Sequence, residues 1–134
     1  MKEITVNASV ENLAAVTRFV DEQLELLDAS PRAQMQIDVA IDELFSNIAY
    51  YAYPGSFGTA VVRFEEDGET VHITFIDQGI PYNPLEKEDP DIGLPAAERE
   101  LGGLGIFLVK KTMDQLSYKY EDGRNQTTIS KKIH

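Results

Sequence analysis

The chain has 134 residues, 43% of them hydrophobic and 26% charged, with 12 basic against 23 acidic side chains and a net charge of −11. That size and balance fit one soluble domain spanning residues 1–134, and the acidic excess argues against a direct nucleic-acid partner, whose phosphates call for clustered Lys and Arg. With no cysteine and only His72 and His134 as imidazoles, disulfides, zinc–thiolate sites and a Ser-His-Asp triad drop out, and the lack of a signal-like or bilayer-length apolar run points to a cytoplasmic protein with no membrane contact.

In chain order, Ile4 and Val6 alternate with Glu3, Thr5 and Asn7, which predicts a short strand over Lys2 to Asn7. Ser9 or Asn7 is then expected to cap a helix from Val10 to about Leu27, where Leu13, Val16, Val20, Leu24 and Leu27 keep helical spacing. The break at Asp28-Ala-Ser-Pro31 places Ser30 as N-cap and Pro31 at the first position of a second helix, which runs to Tyr51 and is ended by Pro54-Gly55. Two β-rich runs follow, Thr59 to Glu66 and Thr70 to Ile76, joined through Asp67-Gly68-Glu69 as a hairpin.

The stretch from Gln78 to Gly103 is rich in proline and glycine and too long for a passive connector. After it, Ile106, Val109, Met113 and Leu116 predict a third helix to about Gln115. Ser117 to Tyr120 and Gln126 to Ile133 read as strands joined by a turn from Glu121 to Asn125. The order β, α, α, β, β, loop, α, β, β predicts an α+β, two-layer sandwich: a mixed, mostly antiparallel sheet with three helices on one face.

Three constellations carry chemistry. Ile37, Ile41, Leu44 and Ile48 form one stripe of the second helix, while Glu43 and Asn47, four residues apart, stack to the side of it. A carboxylate can activate a nucleophile and an amide oxygen is a hard ligand suited to Mg²⁺, although such a pair is also an ordinary polar flank. Asp77, at a strand end and followed by Gly79, is an acid that could read an exocyclic amine beside a glycine that leaves room for a flat ring; alone it is also a common turn. Gly102-Gly103-Leu104-Gly105 opens a helix, where free backbone N–H groups and the helix dipole attract phosphate. A dinucleotide fold is excluded because no strand of a βαβ unit precedes it.

In this order the motifs resemble those of the anti-sigma factor serine/threonine kinases, of the GHKL ATPase superfamily that also holds DNA gyrase, a chaperone and the sensor histidine kinases. The resemblance covers Ile4 to Ile133 and rests on IDELFSNIAYYAYP, DQGIPYNP, GGLGIFLVKKTMDQLSY and DGRNQTTISKK. It implies ATP and Mg²⁺ as cofactors, with Asn47 holding the metal and Glu43 acting as general base on a serine hydroxyl of a partner protein. By the same resemblance Asp77 reads adenine with Gly79 beneath the ring, Thr128 is the closing-strand hydroxyl, and Gly103, Leu104 and Gly105 cradle phosphates.

The loop from about Pro84 to Leu101 would be the ATP lid, with Arg99 its candidate contact to the γ-phosphate and Lys87 a weaker one. The implied partners are a small anti-anti-sigma (STAS-like) protein as substrate, a sigma factor, and a second copy of the chain pairing through the exposed first strand. The implied function is a protein serine/threonine kinase; the alternative is a nucleotide-dependent anti-sigma-like binding module that transfers little or no phosphate. One departure stands out: Tyr51 precedes Ala52-Tyr53 where many relatives carry a histidine.

Overall fold

The computed structural model describes residues 1–86 and 103–134. Lys87, Arg99, Gly102 and the lid beyond Glu86 lie outside the described residues. Among those described, the order is β1 (Lys2–Asn7), α1 (Leu13–Leu26), α2 (Pro31–Tyr51), β2 (Thr59–Asp67), β3 (Thr70–Asp77), α3 (Gly103–Thr112), β4 (Gln115–Glu121) and β5 (Arg124–Lys132), with short 3₁₀ turns at Val10–Asn12 and Pro84–Glu86.

The strands form one sheet in the order β1-β2-β3-β5-β4. Every pairing among the described residues is antiparallel, so the mostly antiparallel sheet under three helices forms as expected, without a parallel pair there. The β4–β5 hairpin folds back so that β5, and not β4, lies against β3. Its turn has Asp122 at φ 56° and Gly123 at φ 75°, the left-handed pair that matches strand twist in a tight hairpin.

Period-two patterning turns Ala60, Val62 and Phe64 of β2, Val71, Ile73 and Phe75 of β3 and Ile129 of β5 toward the helices. They meet Val16, Val20 and Leu24 of α1, Ile37, Ile41, Leu44 and Phe45 of α2, and Ile106, Val109 and Met113 of α3 in one core. Each fully buried large apolar side chain there contributes about 1.5–3 kcal/mol of transfer free energy.

Ser30 caps α2 as expected, its Oγ accepting from Ala33 N at 3.1 Å with Pro31 in the first turn. At α1 neither expected cap forms. The chain first makes a 3₁₀ turn, and Ser9, its N-cap, donates instead to Glu11. Asn7 offers its backbone carbonyl to the Asn12 side chain at 3.0 Å.

The third helix stops at Thr112, short of the expected end at Gln115, and Leu116 lies in β4 opposite Ile129. Leu116 keeps helical spacing after Met113, but the strand ladder claims it. Lys131 donates its Nζ to Thr112 O at 2.6 Å, Asp114 N donates to Ser130 O at 2.9 Å, and Asp114 Oδ2 accepts from Lys132 N at 2.6 Å. Those bonds satisfy the helix end while drawing the chain into the sheet. No helix of the described residues is long and apolar enough to cross a membrane.

Candidate functional site

The C-terminal half of α2, the end of β3, β5 and the stretch after Asp77 line one cavity. Asn47, Tyr51, Asp77, Tyr82, Asn125 and Thr127 supply its polar lining, while Leu44, Ile48, Phe75, Ile80 and Pro84 supply apolar walls. Apolar walls with a few convergent polar groups are the usual form of a small-molecule site.

Asp77 is 5% exposed. Its Oδ1 accepts from Gly79 N at 2.8 Å and from Asn125 Nδ2 at 2.9 Å. Burial pushes its carboxyl above the usual carboxylate range, and the Asn125 and Gly79 hydrogen bonds oppose that shift by favouring the charged form. With both bonds on Oδ1, the other carboxylate oxygen is the one left for a ligand donor in the cavity.

Gly79 meets a requirement that the sequence did not reveal. A Cβ there would lie 2.1 Å from Ala52 O, so glycine is required where the chain crosses the end of α2. Ile80 N then donates to Ala52 O at 2.9 Å, locking the crossing.

Farther toward the N-terminus of α2, Asn47 Nδ2 donates to Glu43 Oε1 at 3.2 Å. The i,i+4 spacing makes this bond. It turns the amide oxygen of Asn47 away from the carboxylate, and Asn47 lines the same cavity as Asp77. Gly105, in the first turn of α3, faces Glu43, since a Cβ on it would fall 2.1 Å from Glu43 Oε2. Gly103 begins α3 and Leu104 follows it, so the glycine-rich segment opens a helix as the sequence implies. The helix N-terminus is thereby brought beside the acid of α2.

Thr128 is placed differently from the expectation. It pairs with Thr74, their hydroxyls 2.9 Å apart, on the sheet face away from the helices. Thr127 lines the cavity instead. Side chains alternate along a strand, so a one-residue offset moves a hydroxyl to the opposite face.

Sequence reasoning also passed over Asn125, seen only as the last residue of a turn, and Tyr53, given no role. Asn125 is 4% exposed and lies opposite Asp77 in the β3–β5 ladder. The signal was available in parity: Ile129 faces the core, so Thr127 and Asn125 must as well. Tyr53 donates its hydroxyl to Thr59 O at 2.6 Å and accepts from Gln78 N at 2.8 Å, joining the turn after α2 to the ends of β2 and β3.

A metal would find at Asn47 one neutral oxygen ligand. No group of three or more His, Cys, Asp or Glu among the described residues could hold a metal by itself. That donor set fits Mg²⁺, which keeps several waters and takes its remaining oxygens from a phosphate chain.

The family model described as histidine kinase-like ATPase domain matches residues 6–131. The serine/threonine-protein kinase BtrW of Bordetella bronchiseptica is 27% identical over 111 residues, covering 81% of this chain and 78% of that one. The serine-protein kinase RsbW of Bacillus mycoides is 28% identical over 89 residues, covering 63% of this chain and 56% of that one. Among solved structures, the RsbU and RsbW domains of Rv1364c from Mycobacterium tuberculosis align with a TM-score of 0.65 at 14% identity, over 99% of this chain and 33% of that one. The catalytic domain of histidine kinase ThkA aligns with a TM-score of 0.57 at 14% identity, over 99% of this chain and 98% of that one. The two structures speak for the fold, while the profile match spans nearly the whole sequence and includes every motif that lines the cavity. The chain belongs to the histidine kinase-like ATPase domain family.

Proposed function

We propose that the protein is an ATP-dependent serine/threonine kinase of the anti-sigma type, using Mg²⁺-ATP to phosphorylate a serine on a small anti-anti-sigma (STAS-like) protein. The observation that carries this reading is the meeting of three groups. Glu43 lies against Gly105 at the N-terminus of α3, is hydrogen-bonded to Asn47, and Asn47 shares its cavity with the buried Asp77. One elongated ligand with a base at one end and phosphates at the other would engage all of them.

In this reading Asp77 accepts a hydrogen bond from the adenine amine, with the Phe75, Ile80 and Ile48 side chains around the ring. Asn47 turns its amide oxygen to the metal, and the backbone of Gly103, Leu104 and Gly105 meets the phosphates at the helix N-terminus. Mg²⁺, when bound, neutralises charge on the phosphate oxygens. The serine oxygen attacks the γ-phosphorus, the bond to the bridging oxygen of ADP breaks, and Glu43 takes the hydroxyl proton. Arg99 of the lid is proposed to contact the γ-phosphate.

A sigma factor and a second copy of the chain are the further proposed partners. Among the described residues β1 is an edge strand, open on the side away from β2, and such an edge can pair with another chain.

The test mixes the protein with labelled ATP, Mg²⁺ and a STAS-like protein encoded beside it. The expected result is phosphoserine on the partner, abolished in Glu43→Ala. Intact nucleotide binding with no phosphoserine would reject the kinase reading.

A further inference from the structure

Asn125 has a hydrogen-bond pattern that a turn residue does not need. Its amide nitrogen donates to Asp77 Oδ1 at 2.9 Å and to Ile80 O at 2.9 Å, with a longer contact to Gly79 O at 3.4 Å. Its amide oxygen accepts from Tyr82 N at 3.1 Å and from the Tyr118 hydroxyl of β4. Both amide protons and both lone pairs are therefore engaged, which fixes the amide orientation without ambiguity. Three other pieces of chain converge on this one buried side chain of β5: the end of β3, the 79–82 turn and β4.

Two consequences follow for the cavity. Asp77 cannot turn freely, because Asn125 and Gly79 N hold the same oxygen, Oδ1. The 79–82 turn, which contributes Ile80 and Tyr82 to the cavity wall, is tied to the same amide. The acid and the wall beside it are thus set by a single group. A buried amide with all its bonds made is costly to disturb, so the arrangement is held before any ligand arrives.

We propose that Asn125 is the positioning residue of the base site: it holds the Asp77 carboxylate and the 79–82 turn in the one arrangement that selects a purine bearing an exocyclic amine. The inference rests on the reading of Asp77 as the acid that meets the base. Asn125 acts through Asp77 and makes no claim on the phosphates. Its loss should therefore erase discrimination between bases and leave phosphate recognition in place. A group serving only to support the fold would weaken every nucleotide alike.

The experiment measures the binding of ATP and of inosine triphosphate, which carries an oxygen where adenine has its amine, to the full chain in the presence of Mg²⁺. The variants are Asn125→Ala, Asn125→Asp and Tyr118→Phe. Wild type should prefer ATP by about tenfold or more, as a site built to hydrogen-bond a group rejects its analogue. Asn125→Asp keeps the volume of the side chain but loses the donors, and both it and Asn125→Ala should reduce the preference to about threefold or less, mainly by weakening ATP. Tyr118→Phe removes one support of Asn125 from the edge strand and should leave a preference between those of wild type and Asn125→Asp.

An ATP preference retained in Asn125→Asp would overturn the inference, as would an equal loss of both nucleotides. Wild type that binds ATP with no preference would overturn the assignment of Asp77, and the inference with it. Wild type that binds neither nucleotide would overturn the kinase reading itself. The three failures are distinguishable.

Discussion

The two ends of the cleft are built in opposite ways. At the end near β3 the acid is buried and braced: Asp77 is held by Asn125 and Gly79 N, and Asn125 by Ile80, Tyr82 and Tyr118. At the end near α3, Glu43 and Asn47 are half-buried neighbours on one helix, bonded to each other at 3.2 Å. The braced end suits recognition, where a fixed acceptor rejects the wrong base. Under the proposed kinase function, the more open end is the one that substrate, metal and partner would enter to complete the catalytic set.

The largest expected effect tests the open end. Glu43→Ala should lower phosphoryl transfer by about 10²- to 10⁴-fold, the usual worth of a general base, while leaving ATP affinity near that of wild type. A rapid-quench measurement of transfer beside a binding titration separates the two quantities, and a comparable loss in both would place Glu43 in binding.

A second effect tests the braced end through stability. Gly79→Ala puts a Cβ 2.1 Å from the backbone carbonyl of Ala52, which cannot swing away, so the fold should lose about 2–3 kcal/mol. Denaturant unfolding would show this, and a midpoint like that of wild type would refute the close crossing. Gly105→Ala is the matched change at the open end. There the new atom meets the Glu43 side chain, which can rotate, so the loss should stay under about 1 kcal/mol while transfer falls with the displaced carboxylate.

The smallest effect lies outside the cleft and serves as its reference. Between α1 and α2, burial, a hydrogen bond that the protonated carboxyl donates to Asp21 and the charge of Asp21 together push the Asp38 carboxyl up to about 7 from an unfolded value of 3.8. Here an acid faces an acid, whereas Asp77 faces donors. A folded value above the unfolded one means the native state holds the proton more tightly. The contribution is therefore full below about pH 4 and is lost as pH rises through about 7. Thermal unfolding followed from about pH 5 to about pH 8 should show Tm declining in wild type and declining less in Asp38→Asn. Parallel slopes would contradict the shared proton.

Much of this was legible in the sequence, for identifiable reasons. The α2 boundaries followed from Ser30-Pro31 and the run into Pro54-Gly55, because capping and proline act locally. The β2–β3 and β4–β5 hairpins followed from alternation and turn residues, whereas the β1–β2 and β3–β5 pairings did not. What was misjudged depended on nonlocal partners: Leu116 keeps a helical period but is claimed by Ile129 across the sheet. Thr128 was named where Thr127 lines the cavity, because motif position does not reveal which face a strand residue occupies. Asn125 was passed over because its role exists only once β3, β4 and β5 are adjacent. Gly79 was chosen correctly as a residue that needs glycine, yet the atom it avoids belongs to Ala52, twenty-seven positions earlier in the chain.

The central claim is that the cleft takes a nucleotide with its base at Asp77 and its phosphates toward Asn47 and Gly105. Calorimetric titration of ATP into wild type and Asp77→Asn, each with and without Mg²⁺, tests it most directly. The account predicts that wild type binds ATP more tightly with Mg²⁺, and that Asp77→Asn loses about tenfold or more in affinity with its fold intact. Equal ATP affinity in the two proteins would contradict it.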